Sequence, residues 1–320
     1  MAHEVEQMAY ANAVPWHGLG NNISEDSTIE EWQVQAGLDW TVSKRPVEFT
    51  CHTSYGEKIA AHKQTFRDKF VLARDIDDHP YAIVSGRYKP VQPKQILEFF
   101  RNLISDMGMK IETAGSLRDG KRVWALAKSG DAHKVLGADQ VDPYLMIATS
   151  YDLTFSTLAQ FTSVRVVCNN TLQQSFNQHT GRVTIPHIRD FDEKAVKNEL
   201  GIGREQWTGY TQMLDAIAKV KLDVAKANQI MGEVFELKND PIKDSVNKAH
   251  IAKIIDLFSG KAIGADVAGQ TGWGLLNATT EYLDKHKRAR NQNNRLDSAW
   301  FGESFNLKQR AIEEISLLAA

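Results

Sequence analysis

Residues 90–108, PVQPKQILEFFRNLISDMG, are where the chain changes its hydrophobic period. Ile96, Leu97, Phe100, Leu103 and Ile104 recur at three- and four-residue spacing, which predicts an amphipathic helix, and Gly108 supplies a stop. Upstream the period is that of strands. Residues 40–49 (WTVSKRPVEF) alternate, with Pro46 suited to an edge or a bulge. Residues 59–66, 70–74 and 81–84 follow at short intervals between polar, Gly, Pro and Asp punctuation, the pattern of an antiparallel meander.

Downstream, 110–114 and 122–128 predict a hairpin across GSLRDGK, where Asp119-Gly120 is a strong turn signal. Two further strands are predicted in 144–149 and 153–167, the second running through Arg165 and ending just before Cys168. Asn169, Asn170 and Thr171 then read as the cap of a helix, because their short side chains accept bonds from orphan amides. From about residue 190 the spacing is helical, over 204–219, 222–237, 243–258, 270–290 and 305–318, with a loop marked by Gly260, Gly264 and Gly269. Strands first and helices later predict an α+β chain rather than an alternating α/β one. The expected organisation is an antiparallel β-rich domain with one or two helices over 1–190, followed by a helical C-terminal domain over 191–320.

A length of 320 residues, 42% hydrophobic and 24% charged, belongs to an ordinary globular protein. No run approaches the roughly 20 apolar residues of a membrane span, and the acidic, weakly apolar start is unlike a secretory signal. The chain therefore reads as cytoplasmic. Two cysteines, Cys51 and Cys168, give neither a disulfide framework nor a thiolate zinc site. A net charge of −2 means that nucleic acid would have to be held by a local basic face rather than by bulk attraction.

Tests for catalysis select no reaction. GLGNN at 18–22 and GIG at 201–203 lack the spacing of a dinucleotide site, and no phosphate-binding loop motif occurs, so no cofactor is expected. His179 and His187 sit in a turn-rich segment without metal-ligand spacing, so no metal is expected. Cys168 needs a base that no spacing selects among His62, His133 and His179, and it reads as a packed residue in register with Val164 and Val166. Asp152 has no second acid beside it and reads as a turn residue.

Two basic clusters remain. The meander carries Lys44, Arg45, Lys63, Arg67, Lys69, Arg74, Arg87 and Lys89 with Phe66, Phe70 and Tyr88 interleaved, a mixture that pairs phosphates and stacks on bases. Asp68, Asp75, Asp77 and Asp78 offset part of that charge, as a solvated sheet face would have it. The second cluster, 281–295, has Lys285, Lys287, Arg288, Arg290 and Arg295. There Glu281 with Lys285, and Asp284 with Arg288, stand at the i,i+4 spacing of helix ion pairs. The C-terminal aromatics Trp273, Trp300, Phe301 and Phe305 read as core at helical spacing.

PWHGLG (15–20), TSVRVVCNNTL (162–172), GWGLLNATTEYLDK (272–285) and SAWFGESFNLKQRA (298–311) occur in this order. Together they resemble the phage/plasmid-like proteins of domain-of-unknown-function family 932, nearly end to end. The family's form of the middle motif carries an SHDGS-like run upstream; here SYDLTFS places Tyr151 at its histidine, and Ser163 stands for a proline. The resemblance implies a phage, prophage or plasmid origin and implies no enzyme activity. The order of elements also resembles phage single-strand annealing proteins at the level of fold.

These readings lead to a non-catalytic protein that binds single-stranded DNA in phage replication or recombination, working as a homo-oligomer in the cytoplasm of a bacterial host. The expected contacts are Lys63, Arg67, Lys69, Arg87, Lys89 and Arg165 on the backbone, Phe66 or Tyr88 stacking, and Lys287, Arg288 and Arg290 as a second basic group. The alternative is a module that binds a host or phage protein, such as a counter-defence factor. A third reading is an enzyme using Cys168.

Overall fold

A computed structural model describes residues 5–12, 20–55, 58–128, 130, 132–165, 170–173, 182–200, 204–237, 240–290, 295, 298–299 and 302–319. It is a mixed α+β structure. The main sheet runs in the order β11 (Asn170–Gln173), β10 (Thr157–Arg165), β9 (Asp139–Ser150), β7 (Arg122–Lys128), β6 (Lys110–Leu117), β1 (Val5–Tyr10), β2 (Asn21–Asn22). β12 (Arg182–Ile185) also pairs with β10, and the short β8 (His133–Val135) with β9. Its pairings are antiparallel except β1 with β2. A separate three-stranded sheet, β3 (Val42–Tyr55), β4 (Lys58–Arg74) and β5 (Pro80–Ser85), forms the meander read from the sequence.

The helix on which the period changes is α2 (Pro93–Met107). Its apolar stripe, Ile96, Leu97, Phe100 and Leu103, is buried, and Gly108 ends it with φ +65°. Gln92 precedes the helix and clamps the small sheet to it. Its Oε1 accepts the Val42 amide at 2.9 Å, and its Nε2 donates to the Val42 carbonyl at 3.0 Å. The Asp119-Gly120 turn closes β6 and β7 with φ +56° and +80°, the left-handed pair that a tight hairpin needs.

One core lies between one face of the main sheet, α1 (Ile29–Gln35), α2, the base of the small sheet and α3 (Glu193–Leu200). A second joins Val135 and Val141 to the helices α4 (Arg204–Lys219), α5 (Val224–Val234), α6 (Pro241–Asp256), α7 (Ala265–Ala268), α8 (Gly272–Glu281) and α9 (Glu303–Ser316). Trp273 belongs to that core, its indole donating to the buried Asp139 at 2.8 Å, and Phe305 is buried under the Arg182 guanidinium, 5.6 Å from its ring centre. Trp300 and Phe301 lie outside the described residues. No described helix is long and apolar enough to cross a membrane.

Several expectations are corrected. Residues 59–66 and 70–74 are one strand, because Arg67-Asp68-Lys69 is an outward bulge between the Phe66–Val47 and Phe70–Pro46 pairs rather than a break. β10 starts at Thr157, not near Leu153, because Asp152 Oδ1 accepts the Thr154 amide at 3.2 Å and holds a turn. Asn170 and Thr171 cap no helix. They open β11, which folds back on β10 with Asn170 opposite Arg165. A polar capping signature and the start of a polar strand look alike when the cross-strand partner is unknown.

Candidate functional site

The bulge divides the β3–β4 hairpin in two. Below it β5 completes a three-stranded sheet, pairing β4 as far as Lys69 opposite Ser85. Beyond it β4 pairs only with β3, and described side chains from Pro46 to His52 and from Ala61 to Lys69 are exposed or half-exposed. Val47 to Tyr55 is nine residues of strand, so the ribbon projects about 30 Å at about 3.4 Å per residue. An isolated two-stranded ribbon of this kind is marginal in water.

Alternation sets what each face presents. Val47, Phe49, Cys51, His62, Gln64 and Phe66 share one face; Glu48, Thr50, His52, Lys63 and Thr65 share the other. Phe49 and Phe66 are 45% and 52% exposed, with ring centroids 6.5 Å apart, edge to face. Outside that mutual contact both rings stand in solvent and form an exposed aromatic platform.

The basic residues gather at the base of this platform. Arg67 and Lys69 are in the bulge, whose Asp68, at φ +57°, accepts the Gly86 amide at 3.2 Å; that bond brings Arg87 to the same end. Lys44 is there too, donating to the Gly86 carbonyl at 2.7 Å with its ammonium 5.5 Å from the Phe70 ring centre. Arg67, Lys69 and Arg87 are exposed and have no ion-pair partner among the described residues. Lys63 faces away from the aromatics and sits 3.5 Å from Glu48, and Arg45 is turned to Asp75 and Asp78.

Two expected contacts do not belong to this surface. Tyr88 is 8% exposed and cannot stack on a base. It is held by His187, whose Nε2 accepts from the Thr157 amide at 3.1 Å, so Nδ1 carries the proton and donates to Tyr88 Oη at 2.5 Å. Tyr88 in turn donates to the Ser150 carbonyl at 3.3 Å. Burial lowers the His187 pKa to about 4, which keeps the ring neutral and suits this pattern of bonds. Lys89 ties the same latch, its amide donating to the His187 carbonyl at 2.6 Å and its ammonium pairing with Asp190 at 2.6 Å. In a sequence, an aromatic between two basic residues looks like a stacking site whether it faces water or the core.

The second basic cluster lies on another part of the molecule, after α8, where a π-helical segment (Tyr282–His286) packs on α8 and α9. The π turn breaks the i,i+4 pairing read from the sequence. Glu281 accepts the Ile263 amide at 2.8 Å, and Asp284 accepts from Lys308 at 2.9 Å. Lys287 is taken by Glu303 at 2.6 Å, leaving Arg288 and Arg290 exposed.

Arg165 ends β10, but its side chain and all of Cys168 lie outside the described residues. Cys51 is half-buried, with its Sγ 3.5 Å from Gln64 Oε1 and no base on it among the described contacts. Asp152 accepts from Thr154 and sits 3.7 Å from Arg122, the partners of a structural turn. Among the described residues no group of three or more His, Cys, Asp or Glu side chains could hold a metal ion.

No curated protein and no solved structure matches the chain. A family model does, over residues 80–300, a span that begins after the arm and includes Arg87, the His187 latch and α8. The chain belongs to the family described as Domain of unknown function (DUF932).

Proposed function

We propose that the chain binds single-stranded nucleic acid along the base of the β3–β4 arm. The observation that carries this reading is the pair of bare aromatics, Phe49 and Phe66, on a projecting ribbon whose base holds Arg67, Lys69 and Arg87 without ion-pair partners among the described residues. Bases stack on the rings and the cations take the phosphates, a division that is indifferent to sequence. The resemblance to phage and plasmid proteins fits a role in replication or recombination of a mobile genome. Strand annealing there needs a groove shared between copies of the chain.

Fluorescence anisotropy with labelled single-stranded DNA across a salt series tests it. Three phosphate contacts give a slope of about −2 in log K against log salt at about −0.7 per contact. Replacing Arg67, Lys69 and Arg87 by Ala flattens that slope, and Phe66→Ala weakens binding about tenfold or more at every salt concentration. Absence of binding at low salt, or binding without a slope, rejects the proposal.

A second reading, a protein partner for the arm, is favoured by one feature. Beyond the bulge Lys63 and Glu48 cancel, so the outer ribbon is close to neutral and its apolar face suits another protein surface. A stable protein partner that co-purifies free of nucleic acid would decide for this reading.

A further inference from the structure

Helix α8 is buried along its whole length, yet it carries polar side chains at Asn277, Thr279, Thr280 and Glu281. Three of these are accounted for. Thr279 and Thr280 donate to carbonyls one turn back, at 2.8 and 3.0 Å, and Glu281 accepts the Ile263 amide. Asn277 is not. It is 1% exposed, and neither its Nδ2 nor its Oδ1 has a hydrogen-bond partner among the described residues. Leaving a whole amide unpaired in a dry interior is strongly unfavourable, and such groups in folded proteins call for an explanation.

Asn277 lines a crevice with Phe258, Ala262, Ala268, Gly269 and Gly274. The free space, open mouth included, is about 190 Å³, and no part of it is wide enough for a water molecule as the walls stand. The rim is at the surface, where Ile263 and Gly269 are exposed. One wall is a π-helical turn (Leu257–Lys261) kinked at Gly260, whose φ of +120° is not helical, and Gly264 and Gly269 beside it also take positive φ. The rest of the lining is apolar apart from backbone.

We infer that this crevice is a binding site for a small planar group that presents a donor beside an acceptor, either a nucleobase edge or a primary carboxamide. A side-chain amide offers the complementary pair, NH₂ beside C=O, and satisfies both of its own orphan atoms in one bidentate contact. Phe258 and the glycine backbones provide flat apolar walls for the rest of the ring. A space below the roughly 300 Å³ of ordinary ligand pockets limits the guest to a single base or an amide fragment. Entry requires the wall at the π turn and the glycine loop to part. The inference is independent of the arm.

The test is ligand-observed saturation-transfer NMR and thermal shift on the full chain with adenosine, cytidine, nicotinamide and L-glutamine as probes. At least one probe gives transfer and raises the melting temperature at about 10 mM. Signals from the nucleosides alone name a base as the guest; signals from nicotinamide or glutamine alone name a carboxamide. Asn277→Leu weakens the responding probe at least tenfold, while the free chain melts no lower because an unpaired amide has been replaced by an apolar group of similar size. Ala265→Phe, at the crevice wall, blocks the same probe and decides the matter if the Leu variant does not fold. Silence from all four probes, or probe signals unchanged in a folded variant of either kind, overturns the inference.

Discussion

Gly274→Ala sets two physical effects against each other with opposite signs. Gly274 lies inside α8, and helix propensity alone predicts that alanine stabilises by up to about 1 kcal/mol. The packing predicts the reverse. A Cβ on Gly274 would lie 1.9 Å from the Gly269 carbonyl oxygen and 3.2 Å from its carbon, so the two backbones must separate by about an ångström to reach a contact that real Cβ atoms tolerate. That movement strikes the start of the helix. Thr271 accepts the Gly274 amide at 3.0 Å as the N-cap and donates to the Ala268 carbonyl at 2.7 Å. Losing the cap costs about 1 kcal/mol and the second bond about another, with overpacking adding about 1–3. Set against the propensity gain, the net loss is about 2–4 kcal/mol, a drop of roughly 4–16 °C in melting temperature at about 2–4 °C per kcal/mol. Urea denaturation and thermal melts read by circular dichroism measure it. Gly137→Ala is the control, since φ is +76° there with nothing within 4 Å, so only the backbone penalty of about 1 kcal/mol applies. A Gly274→Ala chain that melts at or above the parent refutes the close approach.

Two other substitutions probe buried charge. Lys308 has no exposed side-chain surface and donates to Asp284 at 2.9 Å, so Lys308→Met, which takes this buried cation from the carboxylate, costs about 3–5 kcal/mol by urea denaturation. The Asp284→Asn, Lys308→Met double variant loses less than the single one; additive losses would mean that the pair is not coupled. His187 sits at about 4, against an ordinary 6.5, because it is buried. The unfolded chain therefore takes up a proton below about pH 6.5 while the folded chain does not until about pH 4, and stability present at neutral pH falls through that window. The full loss is at most about 3.5 kcal/mol at about 1.4 per pH unit. His187→Gln costs stability at pH 7 and reduces the further loss at pH 4.5; an unchanged pH slope would place the acid sensitivity elsewhere.

What the sequence made legible is what local physics decides. The stripe of α2 and its Gly108 stop, the Asp119-Gly120 hairpin and the 204–219 helix all stand where periodicity and turn chemistry put them. What stayed hidden depends on partners far along the chain. Arg67-Asp68-Lys69 reads as punctuation until Val47 and Pro46 are known to be consecutive partners of Phe66 and Phe70. The burial of Tyr88 depends on His187, 99 residues away. The unpaired amide of Asn277 is also beyond a sequence reading, because a polar residue at helical spacing reads as solvent-facing until every face of its helix is known to be covered.

The span of the family model separates the two candidate sites. The family match starts at residue 80, so Phe49, Phe66, Arg67 and Lys69 lie outside it, whereas Asn277, Gly274 and the π turn lie within it. The arm's aromatics and bulge cations precede residue 80, with Arg87 the one proposed contact inside the matched span. Val47 opposite Phe66 makes the two cleanly separable, because a two-residue Asn-Gly turn in place of residues 48–65 closes the hairpin there. The excised residues contribute none of the described buried side chains, so their removal leaves both cores intact. Nucleic-acid binding that survives the excision would therefore be carried by the bulge cations or by the matched span, and not by the paired Phe49 and Phe66 rings.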